Sequence, residues 1–315
     1  MSILLAIEPE SAIAAWETRL RALLPGHALA RPRTLADRSG VSYALSWRHA
    51  PGALAGLPNL KAIFSLGAGV DHMFDDPLLP DAPIIRVVDK DLTNRMSEWI
   101  VLHALLHLRQ QRLYDRRQAD RHWEEDLGQP AARDIRIGVM GLGVLGRDAA
   151  KKLQIIGFDV AGWSHGKKRL PRVACFHGAA GLDAMLARTD MLVALLPLTA
   201  ETRGILNARL FAKLARNGRL GGPILINAGR GGLQVDKDIA AALDSGALKA
   251  ASLDVFEKEP PPEDSPLWRD PRVFVTPHCA ALNEPGAVAR AIAAQIRTFE
   301  RGGKLKNVVD RAKGY

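Results

Sequence analysis

The run Gly141-Leu142-Gly143-Val144-Leu145-Gly146 limits what this chain can fold into more than any other segment. It follows an apolar stretch, Ile135–Met140, that reads as a buried strand, and it precedes Arg147–Ile156, which reads as a helix. In that setting the first glycine permits a tight turn and the second lets backbone N–H groups approach a pyrophosphate. The third allows the helix to pack closely on the strand. The helix N-terminus adds a favourable partial positive charge. Such a unit commits the surrounding chain to alternating strands and helices around a mostly parallel sheet.

The rest of the sequence repeats this pattern. Before the glycine turn, strands are predicted at Ile3–Ile7, Tyr43–Ser46, Ala62–Ser65 and Ile84–Val87, with a helix over Ala12–Leu24. A single long helix is predicted from Met96 to Arg117, with Trp99, Leu102, His103, Leu106 and Leu113 along one side. After the turn, strands are predicted at Asp159–Trp163, Met191–Leu195, Ile224–Asn227, Ala250–Asp254 and Val273–Thr276. A last helix, Pro285–Glu300, stops at Gly302-Gly303. At 315 residues the chain is long enough for two such domains.

Composition excludes several classes. Lys and Arg number 43 against 34 Asp and Glu, a net charge of +9, but no nucleic-acid motif accompanies it. An anionic cofactor and substrate account for part of that charge, and no nucleic-acid partner is expected. Cys175 and Cys279 are the only cysteines, too few for a disulfide framework, and no metal-ligand spacing surrounds Cys279. No apolar run reaches the roughly 20 residues that a membrane span needs. The first residues, Met1–Glu8, read as a strand without a basic leader, so a cytoplasmic location is expected.

Three segments in the last third carry the chemistry: Asn227–Gly231, Asp254–Pro260 and Thr276–His278. They supply Arg230, Glu259 and His278, each beside a predicted strand end, where ligands of open parallel sheets bind. A histidine oriented by a carboxylate is a proton donor suited to near-neutral pH, and an arginine offers a planar fork to a carboxylate or a carbonyl oxygen. Asp254 ends a strand, where it is placed either to contact a nicotinamide amide or to cap a helix. Upstream, Leu66-Gly67-Ala68-Gly69-Val70-Asp71 can present several backbone N–H groups as an anion-binding nest for a small carboxylate. About 20 residues past the glycine turn, an NAD site carries an acid for the ribose 2′-hydroxyl. Here Trp163 is followed by Ser164-His165-Gly166-Lys167-Lys168-Arg169. A hydroxyl followed by basic groups predicts a preference for NADP(H), with NAD(H) as the alternative.

Together these segments resemble the D-isomer-specific 2-hydroxyacid dehydrogenases. The matching stretches are Leu66–Asp71, Gly141–Gly146, Pro197–Asn207, Asn227–Gly231, Ser252–Pro260 and Thr276–Ala280. Within that family Trp47, Trp163-Ser164, Ser265–Trp268 and Val309–Tyr315 resemble the glyoxylate/hydroxypyruvate reductases. The resemblance implies an α/β protein of two doubly wound parallel-sheet domains. A Rossmann cofactor domain, residues 96–284, is inserted in a flavodoxin-like substrate domain, residues 1–95 and 285–315. It implies a homodimer that reduces glyoxylate or hydroxypyruvate to D-2-hydroxy acids, with Arg230 binding substrate, Glu259 orienting the histidine and His278 acting as acid and base. Trp47, Leu66, Gly67, Ala68 and Gly69 would contact the substrate. Gly141, Gly143, Val144, Leu145, Gly146, Ser164, His165, Lys167, Leu196, Pro197, Thr202, Ala228, Gly229 and Asp254 would contact the cofactor. The rival readings are an NAD-linked dehydrogenase of another 2-hydroxy acid and a non-catalytic dinucleotide-sensing scaffold. One departure stands out. Arg216–Pro223 is longer than the family's usual turn before the arginine strand, and it is expected to bulge outward.

Overall fold

The computed structural model describes residues Met1–Tyr315. Contacts divide the chain into two compact units, Met1–Leu92 with Asn283–Tyr315, and Thr93–Leu282. Each is built on one all-parallel sheet.

In the first unit the strands are β1 (Ser2–Ile7), β2 (Ala28–Ala30), β3 (Val41–Trp47), β4 (Ala62–Ser65) and β5 (Ile84–Ile85). Their order is β2-β1-β3-β4-β5, the doubly wound order of flavodoxin-like sheets. Alternation divides the strand residues between two cores. Ile3, Leu5, Tyr43, Leu45 and Phe64 face the helices α1 (Ile13–Leu23) and α8 (Pro285–Glu300). Leu4, Ala6, Ala44 and Ile63 lie on the other face with Leu54, Met73 and Ile84. The short β2 is not predicted from sequence, because three partly exposed residues carry no periodic signal.

The second unit contains α2 (Lys90–Leu108) from Thr93 onward, α3 (Gln111–Ala119), β6 (Arg136–Met140), α4 (Val144–Ile156), β7 (Asp159–Ser164), β8 (Ala174–His177), α5 (Gly178–Leu186) and β9 (Met191–Ala194). It continues through α6 (Ala208–Phe211), β10 (Ile224–Asn227), α7 (Asp236–Asp244), β11 (Ala250–Leu253) and β12 (Val273–Val275). The sheet order, β12-β11-β10-β9-β6-β7-β8, reverses direction between β6 and β9, as in dinucleotide-binding sheets. Consecutive strand residues again face opposite cores: Met191, Val193, Ile224 and Ile226 toward α2 and α4, and Leu192, Ala194, Leu225 and Leu253 toward α5, α6 and α7.

Three expectations need correction. The long helix is two, because Gln110 adopts a left-handed conformation with φ 55° between α2 and α3. Leu102 does not lie on the packed side; it is 51% exposed, and the buried residues of α2 in this unit are Met96, Ser97, Trp99, Ile100, His103, Ala104, His107 and Leu108. The longer Arg216–Pro223 loop turns Arg216, Asn217 and Arg219 outward but tucks Leu220 into the core. It leads into the start of β10, so the strand pairs with β9 and β11 without a register break.

Beneath β11 lies a buried polar cluster. The Ser252 hydroxyl bonds His103 Nδ1 and His107 Nε2, each at 2.8 Å. Phe274 packs edge-on against both rings, 5.5 and 5.4 Å away. One hydroxyl can serve two imidazoles by donating to one and accepting from the other, which suits two neutral rings. Burial, with Arg112 and neighbouring positive charge, lowers His103 to about 4 and His107 to about 3, from 6.5. Between about pH 6.5 and 4, the unfolded chain binds these protons and the folded chain does not. The contribution to stability is therefore complete above about pH 6.5. It falls by about 1.4 kcal/mol per pH unit for each histidine as the pH drops through that window. Thermal unfolding followed from pH 7.5 to 4.5 should show a steep decline in Tm below 6.5, and His107→Leu should flatten it. An unchanged slope in that variant would remove His107 as a cause.

Candidate active site

The groups singled out in the second unit cluster at one edge of its sheet. Because all seven strands are parallel, the segments after β6, β7, β9, β10, β11 and β12 emerge at the same, carboxyl end. There they place the glycine turn, Ser164, Leu196-Pro197, Ala228–Arg230, Asp254 and His278.

The glycine turn meets the steric demands set out from sequence. Gly141 has φ 102°, and a Cβ there would stand 2.5 Å from the Leu195 carbonyl oxygen. A Cβ on Gly146 would stand 1.8 Å from the Gly141 oxygen, so the helix can approach the strand only without one. At Gly143 a Cβ would meet nothing within 4 Å, which leaves open space where a ligand would lie. Gly143 is the N-cap of α4, no side chain caps it, and no acid sits in the first turn. The uncapped N–H groups and the open backbone fit a pyrophosphate. Val144 is 47% exposed on this turn, whereas Leu145 packs toward the core.

At the end of β7, Ser164 is buried and its hydroxyl donates to the Gly166 carbonyl at 2.8 Å. The following His165, Lys167, Lys168 and Arg169 are exposed, and no acid lies between Ser164 and His177. Leu196 and Ala228 are buried, and the Gly229 N–H donates to Asn227 Oδ1 at 3.0 Å. Thr202 closes its own loop: its hydroxyl donates to the Pro197 carbonyl at 2.7 Å and accepts from the Thr199 N–H at 2.8 Å.

The side chains of His278 and Glu259 are paired. His278 Nδ1 lies 2.7 Å from Glu259 Oε2, with side-chain exposures of 39% and 26%. With Glu259 ionised, Nδ1–H is the donor, which fixes the ring orientation and leaves Nε2 as the atom that can give or take a proton. The other oxygen of Glu259 accepts from the Phe256 N–H at 3.3 Å. His278 adopts φ 53°, a left-handed conformation. Asp254 holds it there. Its Oδ1 accepts from Thr276 Oγ1 at 2.5 Å and the Cys279 N–H at 2.9 Å, and its Oδ2 accepts from the Ala280 N–H at 2.9 Å. The His278 N–H donates to the Asp254 carbonyl at 2.8 Å. Burial, and then Asp254, push the neighbouring Cys279 thiol above its ordinary range, the opposite of what a nucleophile requires.

The Arg230 loop is pressed against the loop that carries Glu259. A Cβ on Gly231 would lie 1.7 Å from the Phe256 carbonyl oxygen, so only glycine allows the two backbones this close. Arg230 has extended backbone and its Nη1 donates to the Gly229 carbonyl at 2.8 Å. Two buried amides that sequence reasoning passed over as contributors, Asn227 and Gln234, lie behind it. Their signal was a polar residue in a run otherwise apolar, Leu233-Gln234-Val235.

The first unit holds the Leu66–Asp71 turn. Ser65 Oγ accepts from the Gly67 N–H at 3.2 Å, and Asn283 donates to the Leu66 carbonyl at 2.7 Å. The N–H groups of Ala68 and Gly69 have no acceptor within the chain. Trp47 walls this turn: a Cβ on Gly67 would lie 2.4 Å from its ring, and His72 packs edge-on at 5.2 Å.

Comparison with known proteins agrees with this arrangement. Residues 101–280 match the family model described as the D-isomer specific 2-hydroxyacid dehydrogenase, NAD binding domain. The chain is similar to a probable 2-hydroxyacid dehydrogenase of Rhizobium etli solved with NADP, HEPES and L(+)-tartaric acid. The two are 46% identical over 100% of this chain and 99% of that one, with a TM-score of 0.94. It is also similar to an NADPH-dependent glyoxylate/hydroxypyruvate reductase of Sinorhizobium meliloti solved with NADP and sulfate, at 48% identity over 100% and 99% of the chains and a TM-score of 0.91. A D-isomer specific 2-hydroxyacid dehydrogenase of Xanthobacter autotrophicus, solved with NADPH and MES, matches at 38% identity over 100% and 99%, with a TM-score of 0.92. This chain belongs to the D-isomer-specific 2-hydroxyacid dehydrogenase family.

Proposed function

We propose that this protein reduces small 2-oxo acids, with glyoxylate and hydroxypyruvate as the expected substrates and NADPH as the preferred cofactor. The observation that carries the reading is the 2.7 Å contact between His278 Nδ1 and Glu259 Oε2. Its support on the side of substrate and cofactor is the Sinorhizobium relative's activity and the NADP or NADPH bound in three relatives.

The roles follow from chemistry. The glycine turn would hold the dinucleotide by its pyrophosphate, and the reduced cofactor would supply the hydride that the carbonyl carbon takes up. Arg230 polarises the carbonyl and engages the acid. The unpaired N–H groups of Ala68 and Gly69 offer donors to the substrate carboxylate. Protonated His278 gives its Nε2 proton to the oxygen as negative charge develops there, so the carbonyl takes up one hydride and one proton and becomes an alcohol. Glu259 holds the imidazole in orientation through this step. Ser164 and the basic run from Lys167 to Arg169 favour a 2′-phosphate, because no carboxylate stands there to repel it.

We further assign the protein to the cytoplasm as a homodimer. Trp123 and Leu127 are 101% and 87% exposed, large apolar groups that a subunit contact would cover, and both cysteines are unpaired.

A spectrophotometric panel of small 2-oxo acids with each reduced cofactor tests the reading, and absence of turnover across it would sink it. His278→Ala should lower kcat by about 10²- to 10⁴-fold while NADPH still binds; near-normal turnover would remove His278 from the proton transfer. Ser164→Asp should cut kcat/KM for NADPH at least about tenfold and spare NADH, by setting a carboxylate against the 2′-phosphate. An unchanged cofactor ratio would mean that preference is decided elsewhere.

A further inference from the structure

The loops that carry Arg230 and Glu259 are joined by a buried amide relay. Asn227, fully buried at the end of β10, donates from Nδ2 to the Arg230 carbonyl at 3.3 Å and to Gln234 Oε1 at 2.7 Å. Its Oδ1 accepts from the Gly229 N–H at 3.0 Å. Gln234, 1% exposed, donates from Nε2 to the Val255 carbonyl at 3.1 Å and to Asp236 Oδ1 at 2.7 Å. Every polar atom of the two side chains is therefore bonded, and the chain of bonds runs from the backbone on both sides of Arg230 to the start of the loop that ends in Glu259. Packing alone would be served by an apolar residue at 234. A buried amide is costly unless each group is paired, and when paired it fixes direction as well as contact.

We propose that Gln234 is a positioning residue, which sets Arg230 relative to the Glu259–His278 pair through Asn227 and the Val255 carbonyl. The proposal rests on the reductase reading above. It requires that loss of the amide weaken the handling of the 2-oxo acid and not that of the dinucleotide, whose turn lies after β6.

Gln234→Met keeps the side chain's length and removes its hydrogen bonds. Gln234→Glu keeps the acceptor for Asn227 and removes the donors, so it serves should the first variant not fold. Two quantities are measured on the full-length protein: the Kd of NADPH by fluorescence, and the Kd of oxamate, an unreactive 2-oxo-acid analogue, on the NADPH complex. Steady-state kinetics with glyoxylate accompany them. The expected result is an oxamate Kd and a glyoxylate KM raised about tenfold or more, with the NADPH Kd within about twofold of native, since misplacement by an ångström or less carries losses of this order. A general loosening of the fold would weaken both ligands and would overturn the proposal. In an Arg230→Lys background the effect of Gln234→Met on oxamate should shrink to about twofold or less, because the two residues act through one interaction. Equal loss in both backgrounds would overturn it too, as would a folded variant with native oxamate affinity. Native protein that binds oxamate but reduces no 2-oxo acid would sink the reductase reading and leave Gln234 to be judged by binding. Native protein that neither binds oxamate nor reduces any 2-oxo acid would overturn both.

Discussion

The buried carboxylate of Asp254 is the constraint on which the chemistry of the second unit depends. It stands at the end of β11, 2% exposed, and would be costly there without partners. Thr276, Cys279 and Ala280 supply them, all from the segment that follows β12. Three donors on one carboxylate leave that segment little freedom, and His278, in its middle, is held with φ 53°. A histidine in that conformation persists only where its surroundings over-determine it. Asp254 thus acts on His278 through the backbone, while Glu259 acts on its ring. One fixes where the imidazole starts and the other fixes where it points.

The same division between ends of the sheet explains why the long Arg216–Pro223 loop leaves the site alone. The loop lies before β10, at the amino end, and is fastened there. Gly218 passes so close to Asp190 that a Cβ would lie 2.1 Å from its Oδ1, and Asp190 also takes Arg136 at 2.7 Å and the Ile224 N–H through its backbone carbonyl at 2.9 Å. The four ladder pairs from Ile224 to Asn227 are then continuous on both sides. Length added before a strand whose register is held on both sides does not reach its far end, where Arg230 begins. At the carboxyl end there is no such tolerance. Gly231 against Phe256 and Gly146 against Gly141 are backbone contacts that a single methyl would break.

How much of this was legible in the sequence follows from how local each signal is. β10 and α8 were readable to the residue, since an unbroken apolar run and a helical period ending in Gly302-Gly303 need no partner to be recognised. The α2–α3 break was not readable. Gln110 sits between helical stretches without a glycine or proline to mark it, and its left-handed turn is imposed by the tertiary structure. The edge strand β8 was hidden for another reason: it has exposed ends and only two partly buried residues, with no apolar alternation. For the candidate site, residue types could be named from segments, but their obligations could not. Asp254 reads as a ligand contact or a cap in sequence, and the structure shows a carboxylate occupied by a neighbouring loop. Thr202 reads as a lining hydroxyl and is bonded to Pro197. Gln234 gave no motif at all, because the partners that tie it to the two loops, Asn227 and Val255, are 7 and 21 residues away.

Histidine shows why residue identity alone could not have separated chemistry from architecture. His103, His107 and His278 belong to one unit, yet their surroundings differ. The first two face a serine hydroxyl and an aromatic ring, with Arg112 nearby and no carboxylate, and burial holds them neutral. His278 is 39% exposed at its side chain and carries a carboxylate at 2.7 Å. A proton donor in a reduction must be charged when the carbonyl accepts hydride and neutral afterwards, so it needs water or substrate on one nitrogen and a fixed acceptor on the other. Only His278 of the three has both. Ser252, which bonds the first pair, lies two residues before Asp254, which holds the third in place. A single strand, β11, thus sets a buried polar cluster beneath the sheet and the geometry of the His278 segment at its end.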